Sequence, residues 1–363
     1  MSEEVDFMKK LRLGMVGAGN IAKAHLDSYM SNPNVEIAAI CDFNEATLKA
    51  TAGKYKIEKT FLSEKEMLEN VELDAVDVCV WNCSHAECSI MALNKGLDVL
   101  CEKPMAMNAK EAEEMLETAK KNEKLLMLGF VTRFSNEAKV TKDFIEKGYL
   151  GDIYMAKATY VRRNGNPSGW FSDKSRSGGG PVIDIGVHPL DLTRYLMGNP
   201  KPVSVYAATY DLLHESRAKL RTKAAWMPAG ANPETDVCDV EDSAIAIIRY
   251  DNGATTLLEA SYAINGSPKG ERNLYGTKGG IDLLDGKLIL HSDVNGFMSD
   301  SQLLDLDHMK ESKGMFKAEM DHFVDCCLNK TKCMSPAEDG VEVMKILDAI
   351  YESAKTGHEV IIK

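Results

Sequence analysis

Three ionisable residues recur at helical spacing in the segment that runs from Gly179 to Asp191. They are Asp184, His188 and Asp191, separated by four and then three positions. On an α-helix these steps place all three side chains on one face. A carboxylate one turn away from an imidazole can orient the ring and stabilise its protonated form, as a general base requires. The segment therefore predicts proton-transfer chemistry, with His188 as the candidate base.

A second reactive group, Lys103, lies between Glu102 and Pro104, directly after a predicted buried strand. A lysine there can donate to a reacting oxygen and stabilise its developing negative charge. Either Lys103 or His188 can act as the proton acceptor, and Asp184 can hold the ring or bond a neighbouring substrate hydroxyl. A single helix histidine is usually structural, so the prediction depends on the whole set of residues.

A glycine-rich turn near the start of the chain predicts a nucleotide site. The motif Gly17-x-Gly19-x-x-Ala22 follows an apolar run and opens a helical pattern, which is the context of the dinucleotide fingerprint. The two glycines permit a tight turn and the approach of a pyrophosphate, and Ala22 permits close helix packing. The helix start at Asn20 and Ile21 offers free N–H groups to the phosphates.

The choice of cofactor depends on Asp42, which ends the second predicted strand. A carboxylate at this position accepts hydrogen bonds from a ribose 2′-hydroxyl. It would repel a 2′-phosphate, and the next residues, Phe43 and Asn44, supply no cation. We therefore expect NAD, with NADP less favoured.

Composition restricts the class of protein. The chain has 363 residues, more than one ordinary core accommodates, so two domains are expected. A net charge of −12 disfavours nucleic acid and anionic membranes as partners. The first ten residues lack the apolar core of a signal peptide, and no apolar run reaches membrane-spanning length. With nine cysteines, several inside apolar runs, these features predict a cytoplasmic protein with reduced thiols.

One group of residues has the side-chain types that bind zinc, namely Cys79, Cys83, His85 and Cys88. Their spacing lacks the paired C-x₂-C form, and Cys79 lies inside a strand pattern. We therefore expect no metal.

Two domains follow from the order of predicted elements. Apolar runs alternate with helical patterns through residues 1–132, which predicts a parallel sheet covered on both faces, a Rossmann domain. In residues 133–363, long strand patterns flank turn signals at Asp251-Asn252-Gly253 and Asp285-Gly286. They predict an α+β domain with a mostly antiparallel, open-faced sheet and helices on one side.

Two segments of the second domain stand apart. Residues 211–240 interrupt the strand patterns, and a loop of this length is commonly a lid or a subunit arm. A last helix over 336–355, with Ser335 as its cap, is expected to pack back toward the first domain.

Together these motifs resemble the Gfo/Idh/MocA oxidoreductases, the family of glucose–fructose oxidoreductase and inositol dehydrogenase. The resemblance rests on four segments, namely the glycine loop, Glu102-Lys103-Pro104, Gly179 to Asp191, and Val240-Glu241-Asp242. It implies NAD(P)-dependent hydride transfer at a secondary hydroxyl or ketone of a sugar, glycoside or cyclitol. Two alternatives remain open: a non-catalytic NAD- or sugar-binding regulator, and a redox-neutral glycoside-processing enzyme with tightly bound NAD.

The resemblance also implies roles for individual residues. Lys103, Asp184 and His188 occupy the family's catalytic positions, and Asp191 occupies that of a substrate-contacting aspartate. By the same resemblance, the nicotinamide lies near Asn82, His85, Glu102 and Lys103. Relatives often carry Thr-Pro before that asparagine, whereas this chain carries Val80-Trp81, so Trp81 can reshape the wall behind the nicotinamide.

Substrate contacts are also expected from the second domain. Arg162 and Arg163 are adjacent in a strand pattern and point to opposite faces, so one of them can face the pocket. We assign Arg163 to substrate binding, where it would suit sugar hydroxyls or an anionic group such as a uronate. Trp170 is assigned there too, to stack on a pyranose, although an interface role is equally compatible. The apolar run 244–248 on an open sheet predicts a homodimer or homotetramer.

Overall fold

Two β-sheets organise the described part of the chain, one of six strands and one of nine. The structure, a computed structural model, describes residues 10–220, 226–228, 230–284, 287–304, 306 and 314–363. No helix within these ranges is both long enough and apolar enough to cross a membrane.

The first sheet is parallel, with strand order β3-β2-β1-β4-β5-β6. Its elements are β1 (Leu11–Val16), α1 (Asn20–Tyr29), β2 (Val35–Cys41), α2 (Glu45–Tyr55), β3 (Thr60–Phe61), α3 (Glu64–Asn70), β4 (Ala75–Val78), α4 (His85–Asn94), β5 (Asp98–Glu102), α5 (Ala109–Lys121) and β6 (Leu126–Gly129). The order changes direction between β1 and β4, and dinucleotides bind at such switch points. The predicted Rossmann arrangement is confirmed.

Short polar side chains begin the helices of this sheet where the sequence places them. The Ser63 side chain accepts the N–H of Glu66 at 3.3 Å, and Asn108 accepts that of Glu111 at 3.0 Å. Each bond satisfies one of the free amides at a helix start. These caps set the starts of α3 and α5, and α5 follows the strand that carries the reactive lysine.

The second sheet is antiparallel except between β7 and β10, in the order β14-β13-β12-β11-β7-β10-β9-β8-β15. Its elements are α6 (Asn136–Glu146), β7 (Ile153–Val161), α7 (Lys174–Ser177), α8 (Val187–Leu196), β8 (Pro202–Tyr210), α9 (His214–Ala218), β9 (Ser243–Tyr250), β10 (Thr255–Ser261), β11 (Lys269–Gly276), β12 (Gly279–Leu284), β13 (Lys287–Val294), β14 (Phe297–Leu303), α10 (Met315–Asn329), α11 (Ala337–Thr356) and β15 (Val360–Ile361). The predicted hairpin at residues 251–253 joins β9 to β10. The Asp285-Gly286 turn lies outside the described residues, between the paired strands β12 and β13.

Helices cover one face of the second sheet, and its other face is open. Leu192 and Leu196 of α8 pack with Ala156 of β7 and Leu274 of β11 in one buried cluster. On β9, buried and exposed residues alternate along the strand, as expected for a sheet with one covered face. The open-faced architecture predicted from the sequence is confirmed.

The last helix begins one residue later than expected. Pro336 is its cap residue, and Ser335, predicted as the cap, instead donates its hydroxyl to the Leu128 carbonyl of β6. The backbones of Leu128 and Ser335 are also bonded, at 2.9 Å. Ser335 does not cap the helix because its hydroxyl connects the start of α11 to the first sheet. The division at residues 132 and 133 stays a prediction.

Candidate active site

The glycine loop follows β1 at the carboxyl edge of the first sheet. Gly17 has a φ of +102°, and a Cβ there would lie 2.3 Å from the Cys79 carbonyl oxygen. A Cβ at Gly19 would meet nothing within 4 Å, so this backbone is open to a ligand. No side chain caps α1, which begins at Asn20, so the N–H groups at Asn20 and Ile21 are available to a phosphate. This cradle fits a dinucleotide pyrophosphate.

Asp42 lies beside the loop, at the end of β2. One carboxylate oxygen accepts the N–H of Ala18 at 2.8 Å, and the other accepts that of Asn44 at 2.7 Å. Each carboxylate oxygen has a second lone pair for a further donor. Asp42 therefore braces the loop and can still accept a ribose hydroxyl.

Lys103 and Asp184 form an ion pair between the two sheets. Lys103 follows β5, and its Nζ donates to the main-chain oxygen of Asp184 at 2.8 Å and to Oδ1 at 3.0 Å. The Tyr262 hydroxyl donates to the other oxygen, Oδ2, at 2.8 Å. Burial alone would raise the pKa of Asp184, but the Lys103 charge and the Tyr262 hydrogen bond together hold it below its usual range. Asp184 is therefore a carboxylate at neutral pH.

His188 lies in the first turn of α8, the helix that follows Asp184, and its environment favours a neutral ring. Burial lowers its pKa well below the ordinary value, and the positive charges of Lys103, Arg272 and Arg162 lower it further against the opposing charge of Asp184. The Nδ1 atom is buried and has no hydrogen-bond partner among the described residues. A neutral imidazole in a polar site can accept a proton.

The proposed orientation of the His188 ring by Asp184 is not present. Lys103 and Tyr262 bind the two carboxylate oxygens of Asp184 instead. The chain from Val182 to Gly186 forms a π-helical turn before α8 begins, so the three-residue helical face expected from the spacing is not a single α-helical face.

Asp191 does not join the cluster. It is buried, and its two oxygens receive the Arg133 guanidinium at 2.9 Å and 2.6 Å. Arg133 also binds Asp339 of α11 at 2.8 Å. In this structure the partner of Asp191 is thus a buried arginine, and its assignment to substrate stays a prediction.

Two of the four residues expected near the nicotinamide, Asn82 and His85, have structural partners. Asn82 donates its side-chain amide to the Ser177 carbonyl at 2.7 Å. The ring nitrogens of His85 lie 2.7 Å and 3.2 Å from the carbonyl oxygens of Pro104 and Val80. His85 therefore holds the backbone after Lys103, whose peptide bond to Pro104 is cis. Asn82 and His85 are thus bonded to backbone carbonyls, and their place beside the nicotinamide stays a prediction.

Glu102 points into the core rather than toward Lys103 Nζ. One of its oxygens accepts the backbone N–H of Lys103 at 3.1 Å, and the other lies 3.2 Å from Nε2 of buried His25, outside hydrogen-bond angles. Glu319 of α10 is buried beside them, and neither of its oxygens has a described hydrogen-bond partner. Burial first, and then the charge of Glu102, raise the pKa of Glu319 well above its usual value. These groups support the backbone of Lys103 from behind.

The arginine pair follows β7, which ends at Val161, so neither residue lies on the strand that the sequence predicted for them. Arg163 is exposed, whereas Arg162 donates to the Tyr160 hydroxyl at 3.0 Å and contributes to the fields at Asp184 and His188. Arg162 therefore faces the cluster and Arg163 does not. Trp170 lies near Trp81, with ring centroids 6.4 Å apart, at the boundary of the two sheets.

Two site residues were missed because their roles depend on distant partners. Tyr262 follows β10, and no local spacing links it to Asp184. Glu241 receives the N–H groups of Gly180 and Val182 at 3.0 Å and 3.2 Å, and so anchors the turn that carries Asp184. The only sequence signal for Glu241 was its place in a motif of the resemblance.

Sequence comparison decides the family. The profile of the oxidoreductase family with an NAD-binding Rossmann fold matches residues 11–130, and the profile of its C-terminal α/β domain matches residues 142–362. The chain belongs to the Gfo/Idh/MocA family. The expected oxidoreductase class and nicotinamide cofactor are thereby confirmed.

Relatives within the Gfo/Idh/MocA family include characterised dehydrogenases. D-glucoside 3-dehydrogenase of Escherichia coli strain K12 is 33% identical over 355 residues, 96% of this chain and 97% of that protein. Myo-inositol 2-dehydrogenase of Thermotoga maritima is 29% identical over 272 residues, 75% of this chain and 74% of that protein. The solved complex of levoglucosan dehydrogenase with NADH and levoglucosan shares the fold, with a TM-score of 0.83 at 23% identity, covering 98% of this chain and 100% of that one.

Proposed function

We propose that this protein moves a hydride between a nicotinamide cofactor and a secondary hydroxyl or ketone of a sugar, glycoside or cyclitol. The observation that carries the proposal is the ion pair of Lys103 and Asp184 from opposite domains, with His188 close enough for both charges to act on its pKa. Lys103 follows β5 at the carboxyl edge of the first sheet, the edge that also carries the glycine loop. The names of the relatives, which include glucoside and inositol dehydrogenases, support this class of substrate. A non-catalytic regulator would have no need of this assembled set.

Different residues would bind different parts of the cofactor. Gly17, Gly19 and the start of α1 would hold the pyrophosphate, and Asp42 would hold the adenosine ribose. When bound, the nicotinamide accepts the hydride from the carbon that is oxidised. That carbon must lie between the cofactor and His188.

The proton leaves by a separate route. Lys103 Nζ, held by Asp184, donates to the reacting oxygen and stabilises negative charge as it develops. His188 accepts the hydroxyl proton at Nε2, since Nδ1 is buried. An alcohol substrate would thus lose one proton to His188 and, with the nicotinamide bound, one hydride to that ring, which would leave a ketone. Tyr262 keeps Asp184 in place through the other carboxylate oxygen.

Two alanine variants test these roles. Lys103→Ala and His188→Ala should each lower kcat by roughly 10²- to 10⁴-fold, while NADH affinity stays within about twofold of wild type. Reduction of NAD would be followed with a panel of glucosides, uronates, hexoses and inositols. Lys110→Ala is the matched control, because that lysine is exposed on α5. Full activity of both variants on a substrate of the wild type would exclude the proposed roles.

We also propose NAD as the preferred cofactor. The carboxylate of Asp42 would repel a 2′-phosphate, and the neighbouring Phe43 is exposed and uncharged. Asp42→Ala should weaken NAD binding by about tenfold or more and NADP binding much less, because only NAD presents a ribose hydroxyl there. Titration of NADH and NADPH fluorescence measures both. An unchanged ratio of the two dissociation constants would contradict the assignment.

Assembly and location complete the proposal. We propose a homodimer or homotetramer that buries the open face of the second sheet. Exposed Tyr206, Ile247 and Leu257 are register neighbours on β8, β9 and β10 and form one apolar row on this face.

We place the protein in the cytoplasm because its nine cysteines are free thiols. The expected exclusion of nucleic acid and membrane partners rests on the acidic net charge.

A further inference from the structure

Four aromatic side chains form a continuous row between the two domains. We call Phe43, Trp81, Trp170 and Phe171 the aromatic row. Phe43 and Trp81 meet edge to face with centroids 5.1 Å apart, and Trp81 and Trp170 are near-parallel at 6.4 Å. Trp170 and Phe171 stack at 3.9 Å. Two of these rings come from the Rossmann domain and two from the segment before α7.

The row crosses the carboxyl edge of the first sheet at the place where a dinucleotide must lie. Phe43 follows Asp42 at the end of β2, and Trp81 precedes Asn82 beyond the end of β4. In the sheet, β1 lies between β2 and β4. The contact between the two rings therefore crosses the end of β1, where the glycine loop begins. A dinucleotide that extends from Asp42 toward Lys103 has to pass the same place.

Polar contacts fasten the second-domain half of the row to the first domain. The Arg176 guanidinium lies 4.8 Å from the centre of the Trp81 ring. At the next residue, the Ser177 carbonyl accepts the buried Asn82 amide at 2.7 Å. Because these contacts come from α7, the segment that carries Trp170 is held against the β4 end at two independent points.

The long segment that interrupts the second sheet supports the row from outside. Asp236 accepts the N–H of Gly169 at 2.9 Å, and Asp239 accepts that of Lys174 at 2.7 Å. The backbone N–H of Asp239 in turn donates to the Ser172 carbonyl at 3.1 Å. These three bonds bracket Trp170 and Phe171. The described part of residues 211–240 thus has a function in this fold as a brace.

We propose that the aromatic row closes over the bound dinucleotide and that its opening limits release of the reduced cofactor. The row would exclude water from the pyrophosphate and retain the cofactor between substrate turnovers. It is built from both domains, so the brace and the two rings of each domain act together. The proposal rests on the nicotinamide-dependent function proposed above. It adds that the aromatic row determines how long the reduced cofactor stays bound.

Release of NADH measures the row directly. Protein loaded with NADH is mixed with excess NAD in a stopped-flow instrument, and the fall of bound-NADH emission gives the dissociation rate constant. Loss of one aromatic contact should raise this rate constant roughly two- to tenfold, so we expect that increase for Trp81→Ala and for Trp170→Ala. The double variant should raise the rate constant by less than the product of the two single effects, because both single variants remove the contact between Trp81 and Trp170.

Further variants separate closure from general damage. Trp81→Phe keeps a ring and should keep release within about twofold of wild type. Asp236→Ala removes a brace contact without touching a ring, and should also speed release. Phe297→Ala, an exposed aromatic on β14, is the matched control and should change nothing. Thermal unfolding of each variant confirms that it is folded.

The outcomes are distinct. Faster release from the two tryptophan variants and from Asp236→Ala supports closure by the row. Release rates within twofold of wild type in Trp81→Ala and Trp170→Ala overturn it, even when NADH binds normally. Failure of the wild-type protein to bind NADH at all would instead overturn the proposed function, and this is seen before any variant is made.

Discussion

At the residue scale, the surroundings give each reactive group a defined protonation state. The pKa of Asp184 is held down despite its burial, because Lys103 and Tyr262 favour its charged form. The pKa of His188 is also lowered, in its case by burial and then by neighbouring cations. Burial first, and then the charge of Asp184, raise the pKa of Tyr262. At neutral pH the site thus holds a carboxylate, a neutral imidazole and a neutral phenol.

The pH dependence of the reaction follows from the direction of the His188 shift. A base must be unprotonated to act, and protonation of His188 in the folded protein occurs well below pH 6.5. We therefore expect kcat/KM for alcohol oxidation to stay level as pH falls through 6.5 and to decline only at lower pH. Arg162→Gln removes one of the cations that lower the pKa of His188, so its declining limb should move to higher pH. A wild-type limb centred at or above pH 6.5 would contradict His188 as the base.

At the element scale, one buried arginine joins three parts of the chain. Arg133 lies in the short helical turn Val131–Phe134 and binds Asp191 of α8 and Asp339 of α11. It also donates to the Met334 carbonyl at 2.7 Å. Burying the Arg133 charge destabilises the fold unless both carboxylates stay bound to it. The two ion pairs therefore hold α8 in place relative to α11. The helix that carries His188 in its first turn is positioned by this network.

Asp191 is therefore expected to act on stability. Asp191→Ala leaves the Arg133 charge buried with one carboxylate fewer and should lower the free energy of unfolding by about 3–5 kcal/mol. Urea-induced unfolding measures the change. The exposed pair Lys110 and Glu114 provides the control, since Glu114→Ala should change stability by less than about 0.5 kcal/mol. Unchanged stability together with a raised KM would support the substrate role predicted from the resemblance.

Local signals explain which elements and residues were predictable. The caps at Ser63 and Asn108, the glycine loop and the hairpin at residues 251–253 depend on neighbours within a few positions, so the sequence patterns located them. Lys103, Asp184 and His188 were found from motifs, and the structure brings them together. The partners of Asp191 and Asp184, Arg133 and Tyr262, lie 58 and 78 positions away. Such pairings depend on the tertiary packing of the second domain, which spacing along the chain does not encode.

At the scale of the whole molecule, the open face of the second sheet presents exposed apolar side chains to solvent. Tyr206, Ile247 and Leu257 are each 41–54% exposed in one row. Ile247→Glu would place a charge at the centre of the proposed interface and should shift the protein to a smaller species. Sedimentation velocity measures this shift, with Phe297→Glu on the edge strand as control. If wild type and Ile247→Glu sediment alike as the same oligomer, another surface forms the assembly.

The helices that complete the packing of the first sheet, α10 and α11, are synthesised long after the sheet itself. Met320, Phe323 and Val324 of α10 pack among residues of β1 and α1, and α11 lies against α5 and β6. These helices are made about 200 residues after β6, which at synthesis rates of about 5–20 residues per second is a delay on the order of tens of seconds. During that time the apolar face that α10 later covers lacks this part of its packing. We therefore expect the nascent chain to need chaperones until its last helices emerge, and a chimera that exchanges the cofactor domain has to exchange those helices with it.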